Sequence, residues 1–242
     1  MTRLTFEASA GRCAEVLLIR LPLMASDHDW RLLSVEERTR AGRFLHQAGW
    51  SAFVTTRAAL RRRLAEETGL APESLEITAD AHGRPFLRAG APWHFDFNVS
   101  HCRGTAAIAV TRGGRVGVDV EAHGPVSSVR ELVPEVMGAR ESALLHTLDG
   151  DCFLRAFYGS WTRKEAVAKA IGIGLSYPVA TLDLPDDTSK CEVSIRTAPD
   201  IAWRVFTREL EAALTLSVAV SESVESARDL PRGVEALASA SR

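Results

Sequence analysis

The sequence predicts an α+β fold of two similar-sized halves, each a small, mostly antiparallel sheet packed with helices. Three observations carry this reading. Strand-length apolar or alternating segments crowd residues 94–122, separated by turn residues. Helical stretches cover about 34–69 in the first half and 138–172 in the second. After 172 the chain returns to strands, so the second half runs helices first and strands after, with no sequence repeat between the halves.

In chain order, "AEVLLIRL" (14–21) reads as a buried strand. "SVEERTRAGRFL" opens on Ser34 with Glu37 three residues later, the capping-box signature of a helix start. A second helix covers 50–69 and closes at Gly69. "SLEITAD" is a short strand, and "HGRPFL" (82–87) turns into another. "HFDFNVSH" (94–101), "GTAAIAVTR" (104–112) and "GRVGVDVEA" (114–122) follow, with Gly113-Gly114 predicting a hairpin between the last two. Helices at about 138–148 and 151–172 precede strands near 179–184, 190–196, 201–207 and 212–220. These readings divide the chain into halves 1–113 and 114–220 and a polar, disordered tail 221–242.

Composition bounds the function. Hydrophobic residues make up 46% and charged residues 25% of the 242, as in an ordinary soluble globular protein. A net charge of −2 argues against a general nucleic-acid binder. The longest apolar runs, such as "EVLLIRLPLM", are too short to span a bilayer, so no membrane role is expected. Cys13, Cys102, Cys152 and Cys191 are widely spaced and no signal pattern precedes them, which predicts free thiols in a reducing cytoplasm.

Two short stretches carry chemistry. In "VGVDVE", strand alternation turns Val116, Val118 and Val120 one way and Gly117, Asp119 and Glu121 the other. Two carboxylates on one face suit either a solvated polar face or a hard divalent cation such as Mg²⁺. "WTRKEAVAKAIGIGL" (161–175) holds Lys164 and Lys169, two of only three lysines beside 26 arginines. Glu165 and Lys169 stand four apart with the acid first, an arrangement worth roughly 0.2–0.5 kcal/mol on a surface helix. Ala166, Val167, Ala170 and Ile171 form the packing stripe, leaving Lys164, Glu165 and Lys169 to another side. Either this is an amphipathic helix with a salt bridge, or lysine is kept as a compact point charge for a phosphate.

Together, "VGVDVE" and the later "WTRKEAVAK" resemble the paired signature of the 4′-phosphopantetheinyl transferases, in the larger class where one chain holds both halves. The resemblance spans roughly 15–220. It implies a pseudo-dimeric pair of α/β halves, acting as a monomer, with coenzyme-binding elements in the first half and metal and catalytic motifs in the second. It implies that Asp119, Glu121 and Glu165 hold Mg²⁺, or Mn²⁺, against the pyrophosphate of coenzyme A, and that Lys169 meets the phosphate charge. "NVSH" is similar to a family segment that places His101 near the phosphates; alone, His101 reads as a strand-end histidine. "GRPFL" is similar to a G-K-P segment at the nucleotide site, which implies that Arg84, where lysine is usual, helps bind the coenzyme; alone, Arg84 reads as a turn residue before proline. "WSAFVTTRAALRRRL" keeps Arg57 and Arg61 of a basic helix that faces the coenzyme, but Ser51 stands where an upstream arginine is usual. A solvated helix face explains the same arginines equally well. Glu141 is similar to a further family acid between the two motifs.

The reaction implied is attack of a serine hydroxyl of an apo carrier protein (acyl, polyketide or peptidyl) on the β-phosphate of coenzyme A. It transfers the phosphopantetheine arm and releases 3′,5′-ADP, with Glu165 the first candidate base and Glu141 the second. Rival readings are an Mg²⁺-dependent coenzyme A pyrophosphate hydrolase and a non-catalytic coenzyme A or carrier-binding protein. Since carriers are usually acidic, a basic surface including Arg140, Arg155 and Arg163 is expected on the second half.

Overall fold

The computed structural model describes residues 1–8, 12–22, 24–88, 95–174, 177–182, 184, 191–197, 201–210 and 213–222. The expected polar tail therefore lies, beyond Glu222, outside the described residues. The first half contains β1 (Thr2–Glu7), β2 (Cys13–Arg20), α1 (Asp27–Leu32), α2 (Val35–Ala41), α3 (Gln47–Thr68), β3 (Ile77–Ala79), β4 (Pro85–Leu87), β5 (Phe95–Cys102) and β6 (Thr105–Arg112). The second contains β7 (Val116–Ala122), α4 (Val126–Val136), α5 (Ala139–His146), α6 (Gly150–Ile171), β8 (Glu192–Thr197), β9 (Ile201–Leu210) and β10 (Leu214–Ser221). All strand pairings are antiparallel, in sheets ordered β1-β2-β6-β5 and β7-β10-β9-β8, with β3 and β4 forming a separate pair.

The α+β halves are as expected, and so is the helix start at Ser34. Its hydroxyl accepts from Glu37 N–H while the Glu37 carboxylate accepts from Ser34 N–H. α3 closes at Gly69, whose φ of 71° is left-handed. The Gly113-Gly114 hairpin is not formed. β6 already has β2 and β5 on its two edges, so the glycine pair hands the chain to the other sheet, where β7 pairs with β10. The strand expected near 179–184 is a short 3₁₀ turn at Val179–Thr181.

Four layers result. Leu60 and Leu64 of α3 pack on Ile19, Phe97 and Ile108 of the first sheet. Ala166, Val167 and Ala170 of α6 pack on Trp203, Val205 and Ala219 of the second. The inner faces meet each other: Phe6, Ala14, Val16, Ala107 and Ala109 against Val116, Val118, Val120, Phe206, Leu216 and Val218.

Where the sheets converge, β7 is an edge strand whose inward N–H groups need partners. The inner-face side chains of β5 supply them. Val116 N–H donates to Asp96 (2.8 Å), Val118 N–H to Asn98 (3.1 Å) and Val120 N–H to Ser100 (3.3 Å). This seam between the halves is where the candidate site lies.

Candidate active site at the seam between the halves

The outer face of β7 is pressed against α6 at Gly117. A Cβ there would lie 1.9 Å from Ala166 O and 2.5 Å from Ala170 N, so only glycine admits the helix this close. Alternation then sets Asp119, Glu121 and His123 in a row beneath α6. Lys169 Nζ donates to Asp119 Oδ1 at 2.6 Å, Trp161 hydrogen-bonds Glu121, and the His123 ring stacks on Tyr158 at 4.4 Å.

Ser100 organises the inner end of this row. Its oxygen accepts from Val120 N–H and from Lys169 Nζ (2.9 Å), and its hydroxyl donates to Asp119 Oδ1 at 2.9 Å. One donor and two lone pairs are thereby all used, which fixes the hydroxyl. With Oδ1 accepting two hydrogen bonds, the buried Asp119 Oδ2 has no hydrogen-bond partner among the described residues, and neither does the buried Glu165 Oε1.

The acids act on one another electrostatically. Burial pushes Glu121 up to about 7, with the charges of Asp119 and Glu165 adding to the rise while Lys169 and Trp161 oppose it. Burial likewise pushes Glu165 up to about 7, opposed by Lys169 and reinforced by Asp119. Buried carboxylate oxygens without donors, on groups that resist ionising together, are a donor set suited to a hard divalent cation. Among the described residues no three His, Cys, Asp or Glu side chains are already gathered as a metal cage, and the Lys169 ammonium is the cation that Asp119 meets.

The other expected site residues fall at different depths. His101, at the end of β5, reaches solvent; packing on its inner side, then the charges of Lys169 and Arg40, lower its pKa. Arg57 lies over the Phe53 ring and 3.8 Å from Glu37, its pKa lowered by burial and by Arg40 and Arg61. Arg61 is fully buried, its Nε donating to Glu37 (2.7 Å) and its Nη1 to the carbonyls of Pro72 and Leu75. Ser51 is also buried, accepting from Ala25 N–H at the packing of α1 on α3.

Arg84 donates to Asp96 (2.6 Å), to the carbonyls of Phe97 and Val116, and to that of Lys169. Glu141 accepts from Gly138 N–H at the start of α5 and pairs with Lys164. Lys164 is therefore not beside Glu165 and Lys169 on one polar face: it is fully buried and also donates to Val136 O. Arg163 is buried too, donating to Thr207 Oγ1, so it belongs to no basic surface; Arg155 is exposed, 3.7 Å from Glu209.

The structure adds Arg40, whose charge reaches His101 and Arg57 from α2. It borders an open cleft of about 460 Å³ lined by Glu36, Arg40, Arg43 and Phe44. Ser100, Asp96 and Arg115 are further additions. Alternation through "DFNVS" already places residues 96, 98 and 100 on one face of β5, a signal that could have drawn attention to two of them.

Comparison with known proteins identifies the family. Residues 115–219 match the 4′-phosphopantetheinyl transferase superfamily, and residues 25–112 match the N-terminal region described as 4′-phosphopantetheinyl transferase, N-terminal. A putative 4′-phosphopantetheinyl transferase of Synechocystis is 30% identical over 184 residues, 75% of this chain and 74% of that protein. The 4′-phosphopantetheinyl transferase HetI of Nostoc is 31% identical over 167 residues, 67% and 70% of the two chains. A phosphopantetheinyl transferase of Thraustochytrium is 25% identical over 213 residues, 83% and 74%. With both halves matched and the paired acids and lysine at their seam, the chain belongs to the 4′-phosphopantetheinyl transferase superfamily.

Proposed function

We propose that this chain transfers the 4′-phosphopantetheine arm of coenzyme A to a serine of an apo carrier protein, releasing 3′,5′-ADP. The observation that carries the proposal is the meeting of Asp119, Glu121 and Glu165 with Lys169 at the seam, beside His101. Transfer of this kind asks a protein mainly for positioning and charge neutralisation, and that is what the seam offers.

In this reading Lys169, already tied to Asp119 and Ser100, meets the pyrophosphate from the helix side. His101 approaches from β5, and its lowered pKa favours a neutral ring that donates one N–H to a phosphate oxygen. Arg57 and Arg40 face the nucleotide end of the coenzyme. Arg61 supports them from behind, because it is fully buried and tied to Glu37 and to the carbonyls of Pro72 and Leu75. Asp119 Oδ2, Glu121 and Glu165 Oε1 would hold Mg²⁺, which when bound supplies charge neutralisation to the pyrophosphate. Glu165 takes up the serine proton, directly or through a water. Glu141, committed to Lys164 and to the start of α5, fixes the orientation of α6.

The test is the intact mass of an apo acyl carrier protein incubated with this protein, coenzyme A and Mg²⁺, with EDTA as control. A gain of one phosphopantetheine, abolished by EDTA, supports the reading. No gain with acyl, polyketide and peptidyl carriers, despite coenzyme A binding, overturns it in favour of a binding protein. Loss of coenzyme A without carrier gain overturns it in favour of a hydrolase.

A further inference from the structure

We infer that Arg84 is a positioning residue that clamps the C-terminal end of α6 to the first half and so sets where Lys169 stands, rather than a direct contact of the coenzyme. The inference rests on the transferase reading for its kinetic consequence and on geometry for the clamp itself.

The last carbonyls of a helix have no partners within it. In α6, Ala168 O accepts from Gly172 N–H at 3.1 Å. Lys169 O accepts from Arg84, and Ala170 O and Ile171 O accept from Arg115 Nε (3.1 Å) and Nη2 (3.3 Å). Two guanidinium groups thus cover the negative end of the helix dipole, where positive charge is most favourable. They come from different halves: Arg84 from the start of the β3–β4 pair's second strand, Arg115 from just before β7. Asp96 joins them, bonding Arg84 at 2.6 Å and lying 3.8 Å from Arg115.

Arg84 and Asp96 also act on β7 as a pair. Asp96 accepts the Val116 N–H and Arg84 donates to the Val116 carbonyl at 2.9 Å. The two side chains therefore take both backbone groups of Val116, as a neighbouring strand would. Counting Phe97 O at 3.1 Å, one guanidinium ties together β5, β7 and α6.

This gives arginine a task at a position where the G-K-P segment that "GRPFL" resembles carries lysine. Nη2 lies among Asp96 and the carbonyls of Phe97 and Val116, while Nη1 reaches the carbonyl of Lys169, so the planar fork serves the seam and the helix end at once. An ammonium carries its three donors on one atom and can serve one of these places but not both. Gly172 lies beneath both arginines with φ 104°, and a Cβ there would come within 3.0 Å of Arg115 Nη2. The helix exit is thus shaped to receive the clamp.

The experiment compares the wild type with Arg84→Lys and Asp96→Asn, in full-length protein. Two readouts are taken: steady-state transfer at varied coenzyme A, and amide hydrogen exchange in peptides covering 166–172, with α3 peptides as reference. A group misplaced by about 1 Å can lose ~100-fold in rate, so kcat is expected to fall at least about tenfold in both variants. KM for coenzyme A should stay within about twofold, and Arg84→Lys should give no rescue despite its retained charge. Exchange in 166–172 should quicken in both variants while α3 is unchanged. If Arg84 instead touches the coenzyme, KM rises with kcat held and Asp96→Asn has little effect; that result overturns the clamp, as does wild-type kcat in Arg84→Lys. Should Asp96→Asn fold poorly, Arg84→Lys alone decides between these outcomes. If the wild type transfers nothing to any carrier, the transferase reading fails while the exchange comparison still decides the clamp.

Discussion

At the scale of single residues, the site is a place where charge is held at a cost. Glu165 and Glu121 are both raised from the ordinary 4.5 to about 7, chiefly by burial, with the charge of Asp119 adding to the rise of each. Because folding raises their pKa values, the folded protein binds more protons than the unfolded chain between about pH 4.5 and 7. Stability from these groups is therefore full below 4.5 and is lost as pH rises through about 7. A divalent cation that relieves the crowding should stabilise the protein more at pH 8 than at pH 5.5. The check is thermal unfolding with EDTA against Mg²⁺ at the two pH values; equal shifts would remove the assignment of these acids to a cation. Glu165→Gln should flatten the EDTA pH dependence and abolish transfer while keeping the fold. These acids were legible because strand alternation puts Asp119 and Glu121 on one face whatever the rest of the chain does. The buried fate of Lys164 was not, since a helix buried on nearly every side has no solvent face for its spacing to reveal.

At the scale of elements, the contact of α6 on β7 decides whether the site exists. Asp119, Glu121 and His123 meet Lys169, Trp161 and Tyr158 only because Gly117 lets the two backbones touch. Gly117→Ala would put a methyl group into the backbone of α6 at Ala166 and Ala170, where no flexible side chain can give way. Overpacking of this kind costs about 1–3 kcal/mol, and rigid backbone on the receiving side places this case at or above the top of that range. Urea unfolding should show the loss, and transfer should fall further than stability alone explains, because α6 must stand off and carry Lys169 away from Asp119. Unchanged stability would show that the helix does not rest on this strand. Element type was largely readable from local signals: the capping box at Ser34, the closing Gly69 and the alternation through β5–β7. Strand partnership was not. Gly113-Gly114 is the local signature of a hairpin, but β6 has both edges taken, a fact set by β2 almost a hundred residues earlier. α4 escaped notice because Pro134 lies inside it, against the local rule.

At the scale of the whole molecule, the halves are two sheets sharing one core, and the site is made where they meet. The inner faces interdigitate through Phe6, Val16 and Ala109 on one side and Val118, Phe206 and Leu216 on the other. The Phe6 and Phe206 rings lie 5.6 Å apart, across that boundary. Neither sheet can bury its inner face alone, and β7 would lose the donors' partners at Asp96, Asn98 and Ser100 if the halves parted. The halves should therefore unfold together. Phe206→Ala removes the largest side chain that the second sheet contributes near the boundary, and truncations of this kind cost about 3–5 kcal/mol. If the core is shared, hydrogen-exchange protection should fall by a similar amount in α3 of the first half and α6 of the second, although Phe206 belongs to neither helix. Loss of protection confined to α6 and β8–β10 would show two independently stable halves, and the seam would then be a docking surface that the site must assemble at each encounter. A common loss would mean that the site is built into the folding of the chain, which is what one polypeptide carrying both halves makes possible.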